Sequence, residues 1–433
     1  MNHCLARICE WVGAKRVAMG LFASAPHSDY AAYWGATGLM LDGKDEKAAG
    51  LLARIHTAHP AWPRTRRLLA TLYLRTNPEK AVELYTPAAG IWDFLIQGDL
   101  LYFFLHREEE GVSSWQGAYA MVDWTTAREL ENPARLLLKR LWRATREPAL
   151  LERFADLDTD NFRQQDIVDY ALLLAERGER DKAREMLDRG FYLYRGDAKL
   201  TGCWQELGFG DPPAYRRRSR PQAVRHNIYT GLLTEASDVA AVVDQAHREH
   251  PGGVVTIASS VLTMTEGTLL WIPTFRPSRL ARFLGPFTGH GAGPIVHWYS
   301  YPREAAWKVQ AYIELAGAGR VILGAVLAVL GKLVGRKGLF YDVVGPVAKA
   351  VDSDKVMPYD ACLVPGPLDV QQSIRRLSKG GAQVSIVDVN DVFAPEIIGS
   401  TAGVDEDWIA TALSDNPAGN DDSMTPIVVV MPR

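Results

Sequence analysis

Residues 252–258, with the sequence GGVVTIA, indicate the fold class of the second half of this 433-residue chain. Its two glycines end a helix-like run over 239–249, and the β-branched residues that follow predict a buried strand. An amphipathic helix is predicted over 368–377. Three further strands are predicted, at 361–364, 384–389 and 427–430. Strands interleaved with helices predict a mixed domain, which we assign to the α+β class.

The first half of the chain differs, because its apolar residues recur with helical spacing in two helix pairs. The first pair covers 33–41 and 46–55 with Asp42-Gly43 as its turn, and the second covers 169–176 and 181–190. Small residues let paired helices approach closely, and a larger residue fills the space between them. In each pair an alanine recurs after twelve residues and a leucine follows four residues later: Ala36, Ala48 and Leu52, then Ala171, Ala183 and Leu187.

Residues 66–85 form a looser copy of the same pattern around Ala70 and Ala81. The pattern resembles the tetratricopeptide repeat, a helix-turn-helix unit of about 34 residues that stacks into a solenoid. An irregular helical domain is the alternative. Both interpretations predict an all-α segment without catalytic residues, suited to binding a protein or peptide partner.

A domain boundary is predicted near residues 209–225, where glycine and several prolines interrupt helical structure. The basic run at 216–220 favours a solvated linker, with an arm that binds RNA or phosphate as the alternative. The sequence therefore predicts an all-α helical-repeat domain over 1–212 and a mixed α+β domain over 222–433.

Composition and charge exclude several classes of protein. Hydrophobic residues make up 47% of the chain and charged residues 23%, as in globular proteins rather than disordered or fibrous ones. The 48 basic and 51 acidic residues give a net charge of -3, so we expect no nucleic-acid partner. Four scattered cysteines without a CxxC pair indicate neither a zinc site nor a disulfide framework, which favours a cytoplasmic location.

The most apolar window of the chain is 321–334, which contains Lys332. It is shorter than the ~20 residues that span a bilayer, so we expect no transmembrane segment. We interpret the window as a buried helix, and contact with a membrane surface is the alternative.

Two groups of polar residues lie at the ends of strand-like apolar runs. Ser259 and Ser260 come directly after the strand at 254–258, where hydroxyl and N–H donors suit phosphate oxygens, although polar strand ends are also common for structural reasons. Asp352 and Asp388 each follow an apolar run. A buried carboxylate is costly unless it is paired or bound to metal, and oxygen ligands suit Mg²⁺ or Mn²⁺. Spacing alone leaves open whether the two aspartates meet.

Four stretches of the second half form an ordered set of motifs. They are IYTGLL at 228–233 before the acidic helix start Asp238, GVVTIASSVLTMTEG at 253–267, AVD at 350–352 before LVPGPLD at 363–369, and VDVND at 387–391. In this order they resemble the gamma-glutamyl ligase family that adds glutamate to the deazaflavin coenzyme F-420. The resemblance covers 226–430, is greatest to the shorter bacterial relatives of that family, and takes 228–233 as the opening strand.

The resemblance implies a ligase that forms carbon–nitrogen (amide) bonds. GTP or ATP would activate a small carboxylate as an acyl phosphate, and the amine of an amino acid would then displace phosphate. The family pattern assigns Mg²⁺ or Mn²⁺ to Asp352 and Asp388. It assigns nucleotide binding to Thr230, Gly231, Leu232, Leu233, Ser259 and Ser260. The catalytic base stays unidentified, and the sequence leaves open a homo-oligomer.

The chain also departs from the family. Ser260 and Met264 stand where the family has lysines, and the long C-terminal portion of the true coenzyme ligases is missing. An insertion at about 278–338 contains His290 and His297, which we interpret as structural. Loss of positive charge beside phosphates weakens their binding. The alternative function is therefore a non-catalytic scaffold or binding protein with a degenerate ligase domain.

Overall fold

The computed structural model describes residues 2–159, 162–194, 197–213, 223–288, 302–336, 338–345, 351–352, 356–389, 394–419 and 423–432. It confirms a mixed α+β chain, 62% helical, with an N-terminal helical region and a five-stranded sheet in the C-terminal part. The basic run 216–220 and the histidines His290 and His297 lie outside the described residues.

Helices alone make up the chain before the first strand of the described residues. They are α1 (Asn2–Trp11), α2 (Lys15–Ser24), α3 (Asp29–Leu41), α4 (Asp45–Ala58), α5 (Pro63–Thr76), α6 (Pro78–Glu83), α7 (Ile91–Asp99), α8 (Glu108–Ala120), α9 (Ala134–Thr145), α10 (Pro148–Asp158), α11 (Gln164–Glu176), α12 (Arg180–Leu193) and α13 (Ala198–Glu206). A short π-helix, Leu100–Phe104, continues α7.

Strands and helices are interleaved in the remainder of the chain. They are β1 (Ala223–Ile228), α14 (Val239–Glu249), β2 (Val254–Ala258), α15 (Ser259–Glu266), β3 (Leu270–Trp271), α16 (Arg279–Thr288), α17 (Pro302–Ala316), α18 (Ala318–Leu333), α19 (Leu339–Val344), β4 (Cys362–Leu363), α20 (Val370–Leu377), β5 (Gln383–Asp388), β6 (Glu396–Ser400), α21 (Glu406–Ala412) and β7 (Ile427–Pro432). The strands predicted at 254–258, 361–364, 384–389 and 427–430 are therefore confirmed to within two residues at each end.

The predicted helix pairs are confirmed as α3 with α4 and α11 with α12, and each pair is packed together. Helix α3 begins where the Ser28 hydroxyl accepts a hydrogen bond from the Ala31 N–H at 3.2 Å. It ends at a turn in which Gly43 adopts a φ of +71°, a conformation open to glycine at little cost. The alanines and leucines expected between the helices are fully buried: Ala36, Ala48, Leu52, Ala171, Ala183 and Leu187.

The chain forms two compact units. Unit 1 comprises Met1–Ala134, Thr234–Ala236 and Thr263–Asp369, and unit 2 comprises Arg135–Leu233, Ser237–Leu262 and Val370–Arg433. The division into domains at 212 and 222 stays a prediction.

The core of unit 1 joins helices from the start of the chain to the segment that contains α17. Phe22 and Trp34 from the first helices belong to one buried cluster with Trp307 and Tyr312 of α17. The Tyr33 hydroxyl also donates to the Leu269 carbonyl at 3.2 Å. A small antiparallel sheet pairs β3 with β4 within this unit.

Unit 2 contains the five-stranded sheet, with strand order β1-β7-β2-β5-β6. Strand β2 is parallel to β5, and β7 is antiparallel to both β1 and β2, so β1, β2 and β5 all run in one direction. Val255, Ile257, Ile386 and Val429 are fully buried in its core. A strand covered on both faces requires the continuous apolar run that identified β2 in the sequence.

Two expectations from the sequence need correction. The opening strand extends over Ala223–Ile228, and 230–233 form a loop, because Thr230 leaves the ladder and Gly231 adopts a φ of +65°. The window 321–334 is not a buried helix, because large apolar side chains of α18 are exposed. Among the described residues, no helix combines the length and the apolar character needed to cross a membrane.

Candidate functional site

The candidate site lies at one edge of the sheet in unit 2. Strands β1, β2 and β5 share a direction, so their carboxyl ends all reach this edge, beside the first residue of β7. In open sheets flanked by helices, ligands commonly bind just beyond the carboxyl ends of the strands. The edge therefore collects the loop 230–233, the start of α15 and Asp388.

The loop 230–233 follows β1 and is tied to the segment that leads into β7. The Thr230 N–H donates to the Met424 carbonyl at 3.0 Å, and its hydroxyl donates to the Gly231 carbonyl at 2.9 Å. Leu233 is buried in the core of unit 2, and Leu232 is half-buried. Because the Leu233 side chain faces the core, its backbone is the part suited to a ligand contact.

Ser259 and Ser260 begin α15 directly after β2. Ser259 is buried and Ser260 half-buried, and the preceding Ala258 N–H donates to the Pro426 carbonyl at 3.0 Å. The first N–H groups of a helix and its dipole favour negative charge, so this turn suits a phosphate group. Thr256 serves the fold instead, because its hydroxyl donates to the Val428 carbonyl at 2.8 Å.

Asp388 ends β5 and is half-buried at the same edge. Its neighbour Val387 stands opposite Ala258, the last residue of β2, so Asp388 and Ser259 each come directly after this last pair of the two parallel strands. On its other side Asp388 stands opposite Glu396 of β6, after a register shift that skips Ile398. Bulges of this kind often re-aim side chains beside functional sites.

Glu396 is the residue that sequence reasoning missed. Side chains at directly opposed positions of antiparallel strands lie about 5 Å apart, and like charges there are unfavourable. Two carboxylates placed in this way offer oxygen ligands, which suit a divalent cation such as Mg²⁺ or Mn²⁺. The only signal in the sequence was an acidic residue just before the apolar pair Ile397 and Ile398.

Asp352 belongs to unit 1, and it is exposed. Its backbone pairs with Val364, next to β4, through hydrogen bonds of 2.9 and 2.8 Å. Because Asp352 and Asp388 belong to different units, a shared metal ion stays a prediction. The described part of the chain contains no group of three or more His, Cys, Asp or Glu side chains placed to hold a metal ion.

Two positions matter for phosphate binding, because the ligase family that the sequence resembles has lysines there. Ser260 is half-buried at the start of α15, and the Met264 side chain is buried. Neither supplies positive charge. Phosphate binding at this edge would therefore depend on N–H groups, hydroxyls and a metal ion.

Unit 1 has a cleft of about 800 Å³ of its own, lined by a network of charged groups. Arg64 donates to both carboxylate oxygens of Glu314 at 2.8 Å, and Lys15 lies 2.7 Å from a carboxylate oxygen of Glu10. Burial by itself raises the pKa of Glu314, but the Arg64 charge more than offsets this and holds the pKa below its usual value. Burial lowers the pKa of Lys15 to about 8. These charges pair with one another, so we interpret the network as structural.

Comparisons with models of known protein families and with curated protein sequences find no match for this chain.

Proposed function

We propose that this chain is a nucleotide- and divalent-metal-dependent ligase that forms an amide bond between a small carboxylate and an amino acid. The observation that supports the proposal is the convergence of three motifs at one sheet edge. The loop 230–233, the start of α15 and Asp388 are far apart in sequence, yet β1, β2 and β5 bring all three to that edge.

The chemistry of such a ligase matches the groups at this edge. Forming an acyl phosphate brings a carboxylate against the terminal phosphate of GTP or ATP, and the repulsion between them must be offset. The helix start at Ser259 and Ser260 offers N–H and hydroxyl donors to phosphate oxygens. Asp388, with Glu396 opposite, would hold Mg²⁺ or Mn²⁺, which supplies charge neutralisation and orients the phosphates.

The helical region completes the proposal. Its consecutive helices pack as pairs, as in the tetratricopeptide repeat that the sequence resembles. We assign it the recognition of the second substrate or of a carrier protein. We include a cytoplasmic location in the same proposal. It is inferred from the scattered cysteines of the sequence, which indicate no disulfide framework.

The experiment that tests the site combines thermal unfolding with phosphate release on the full chain. With GTP or ATP and Mn²⁺ at ~100 times the dissociation constant, ligand binding should stabilise the protein by ~2.7 kcal/mol. Asp388→Asn should lose at least ~90% of phosphate release, because it removes a metal-binding charge. Asp407→Asn, an exposed carboxylate on α21, is the matched control and should behave as the parent chain. Unchanged activity in Asp388→Asn would contradict the assignment.

The second candidate function is a binding protein that holds a nucleotide without turning it over. The buried Met264 and the uncharged Ser260 favour it, because a phosphate-transfer site gains from lysines at those places. Nucleotide-dependent stabilisation with no phosphate release, across a panel of acids and amines, would favour this function. Stabilisation by no nucleotide at all would contradict both functions.

A further inference from the structure

Helix α18 (Ala318–Leu333) has its large apolar side chains on the outside. Its buried positions are Val321 and the glycines Gly324 and Gly331. Its exposed positions include six large aliphatic residues, each between 42% and 79% exposed: Ile322, Leu323, Val326, Val329, Leu330 and Leu333. A surface helix of a globular protein normally shows the reverse arrangement.

The packed face of α18 has room for little more than hydrogen at its glycines. A Cβ at Gly331 would lie 2.5 Å from Cδ1 of Leu339, and one at Gly324 would lie 3.2 Å from the Phe340 carbonyl oxygen. Both contacts are with α19, which packs along this side. Side chains larger than hydrogen are thus excluded at Gly324 and Gly331, whereas the large aliphatic side chains lie on the outer side of the helix.

Basic residues border the exposed apolar face, which we call the α18 face and define by the six aliphatic residues above. At 3.6 residues per turn, those side chains cover an arc of about 120°. Arg320 and Lys332 are exposed and lie about 60° beyond the two edges of that arc. Arg336 follows the helix and is also exposed. The sequence from 315 to 341 contains no Asp or Glu.

Helix α1 extends the apolar surface beside the first turn of α18. Trp11 is 56% exposed, and a Cβ at Gly319 would lie 3.2 Å from its ring. The Arg320 side chain covers Gly13, just after α1. A partly exposed tryptophan beside arginine is typical of segments that sit at the boundary between hydrocarbon and head groups.

We propose that the α18 face docks onto the surface of an anionic lipid bilayer, with the helix axis in the plane of the interface. Aliphatic side chains would enter the acyl region while Arg320, Lys332 and Arg336 reach lipid phosphates. Charge complementarity selects this occupant. A second copy of the same face would bring like charges together at both edges, whereas anionic head groups attract them.

Vesicle co-sedimentation with the full chain tests the proposal. We expect binding to phosphatidylcholine vesicles that contain about a quarter phosphatidylserine, and weaker binding at high salt. Replacing Val326 and Leu330 together by Asp should lower the partition coefficient by at least about tenfold, because two apolar contacts become charged. Met121→Asp is the matched control. Met121 is 48% exposed at the C-terminal end of α8 in unit 1, away from α18 in sequence, and its substitution should leave binding unchanged.

A second variant tests the electrostatic part separately. Lys332→Glu with Arg336→Glu should weaken binding to the anionic vesicles by about tenfold or more and reduce its salt dependence. Both variants change exposed positions, so circular dichroism should show an unchanged thermal transition. Absence of parent-chain binding to anionic vesicles would overturn the proposal. So would a concentration-dependent dimer that the Val326 and Leu330 substitutions abolish, because it would identify a second copy as the occupant.

Discussion

At the scale of single residues, Asp166 shows how a buried charge is stabilised in this protein. It lies in the first turn of α11, where its carboxylate accepts from the Arg163 N–H at 3.0 Å and pairs with Lys139 at 3.2 Å and with Arg143. Burial alone raises the pKa of Asp166, but the Lys139 and Arg143 charges more than offset it and lower the pKa to about 2. The folded state therefore favours the ionised carboxylate of Asp166 over its protonated form.

This linkage predicts the acid limb of stability. The folded pKa is below the unfolded value of 3.8, so the contribution is present above about pH 4 and is lost as the pH falls towards 2. Asp166→Asn should lower the free energy of unfolding by about 2 kcal/mol or more at pH 7. The further decrease in this free energy between pH 7 and pH 3 should be about 1 kcal/mol smaller in the variant than in the parent chain. Urea unfolding at pH 7 and at pH 3 measures both differences. Asp181→Asn, at an exposed position of α12, is the control. An equally steep acid limb in Asp166→Asn would contradict the prediction.

At the scale of elements, the helix pairs owe their stability to a few fully buried positions. In the α11–α12 pair, Ala171 and Ala183 allow the close approach and Leu187 fills the remaining space. Their spacing was visible in the sequence because both helices are regular over the whole contact. The prediction of a buried helix fails for α18, because the helix is strongly apolar but its buried positions are only Val321 and two glycines.

The packing of Leu187 gives a direct prediction. Leu187→Ala removes a fully buried side chain and leaves a cavity, so we expect a loss of about 3 kcal/mol in the free energy of unfolding. Glu185→Ala on the exposed side of the same helix should change it by less than about 0.5 kcal/mol. Denaturant titration of both variants makes the comparison, and similar losses in the two would show that the pair is not packed as described.

The sheet elements show how far a sequence reaches toward a site. Strands β2, β5 and β7 were predicted from β-branched runs, and with them the positions of Ser259 and Asp388. The register that sets Glu396 opposite Asp388 was not predictable, because it depends on a bulge between two strands. The family resemblance places 230–233 in a strand, but a resemblance between motifs gives no information on the hydrogen bond that ties Thr230 to Met424 in this chain.

At the scale of the whole molecule, the core of unit 1 depends on segments distant in sequence. Phe22 and Trp34 share a buried cluster with Trp307 and Tyr312, and Arg64 pairs with Glu314. Each side of the predicted boundary at 212–222 thus contributes part of one core. A core divided between two chains leaves apolar surface exposed in each of them.

Separate expression of 1–212 and 222–433 tests this consequence. We expect each fragment alone to lack a cooperative thermal transition, and co-expression to restore a complex that unfolds cooperatively. Size-exclusion chromatography and circular dichroism provide the measurements. Two fragments that each unfold cooperatively on their own would instead support the two predicted domains as independent folding units.

Sequence patterns were sufficient to predict the α+β class, the helix pairs, the strand that ends just before Ser259 and the strand that contains Asp388. Those features depend on local periodicity, which neighbouring residues impose through backbone geometry. Three features required the three-dimensional structure: Glu396 stands opposite Asp388, Arg64 pairs with Glu314, and the aliphatic side chains of α18 are exposed. Each of these depends on contacts between residues remote in sequence, and a one-dimensional pattern does not encode which surfaces will meet.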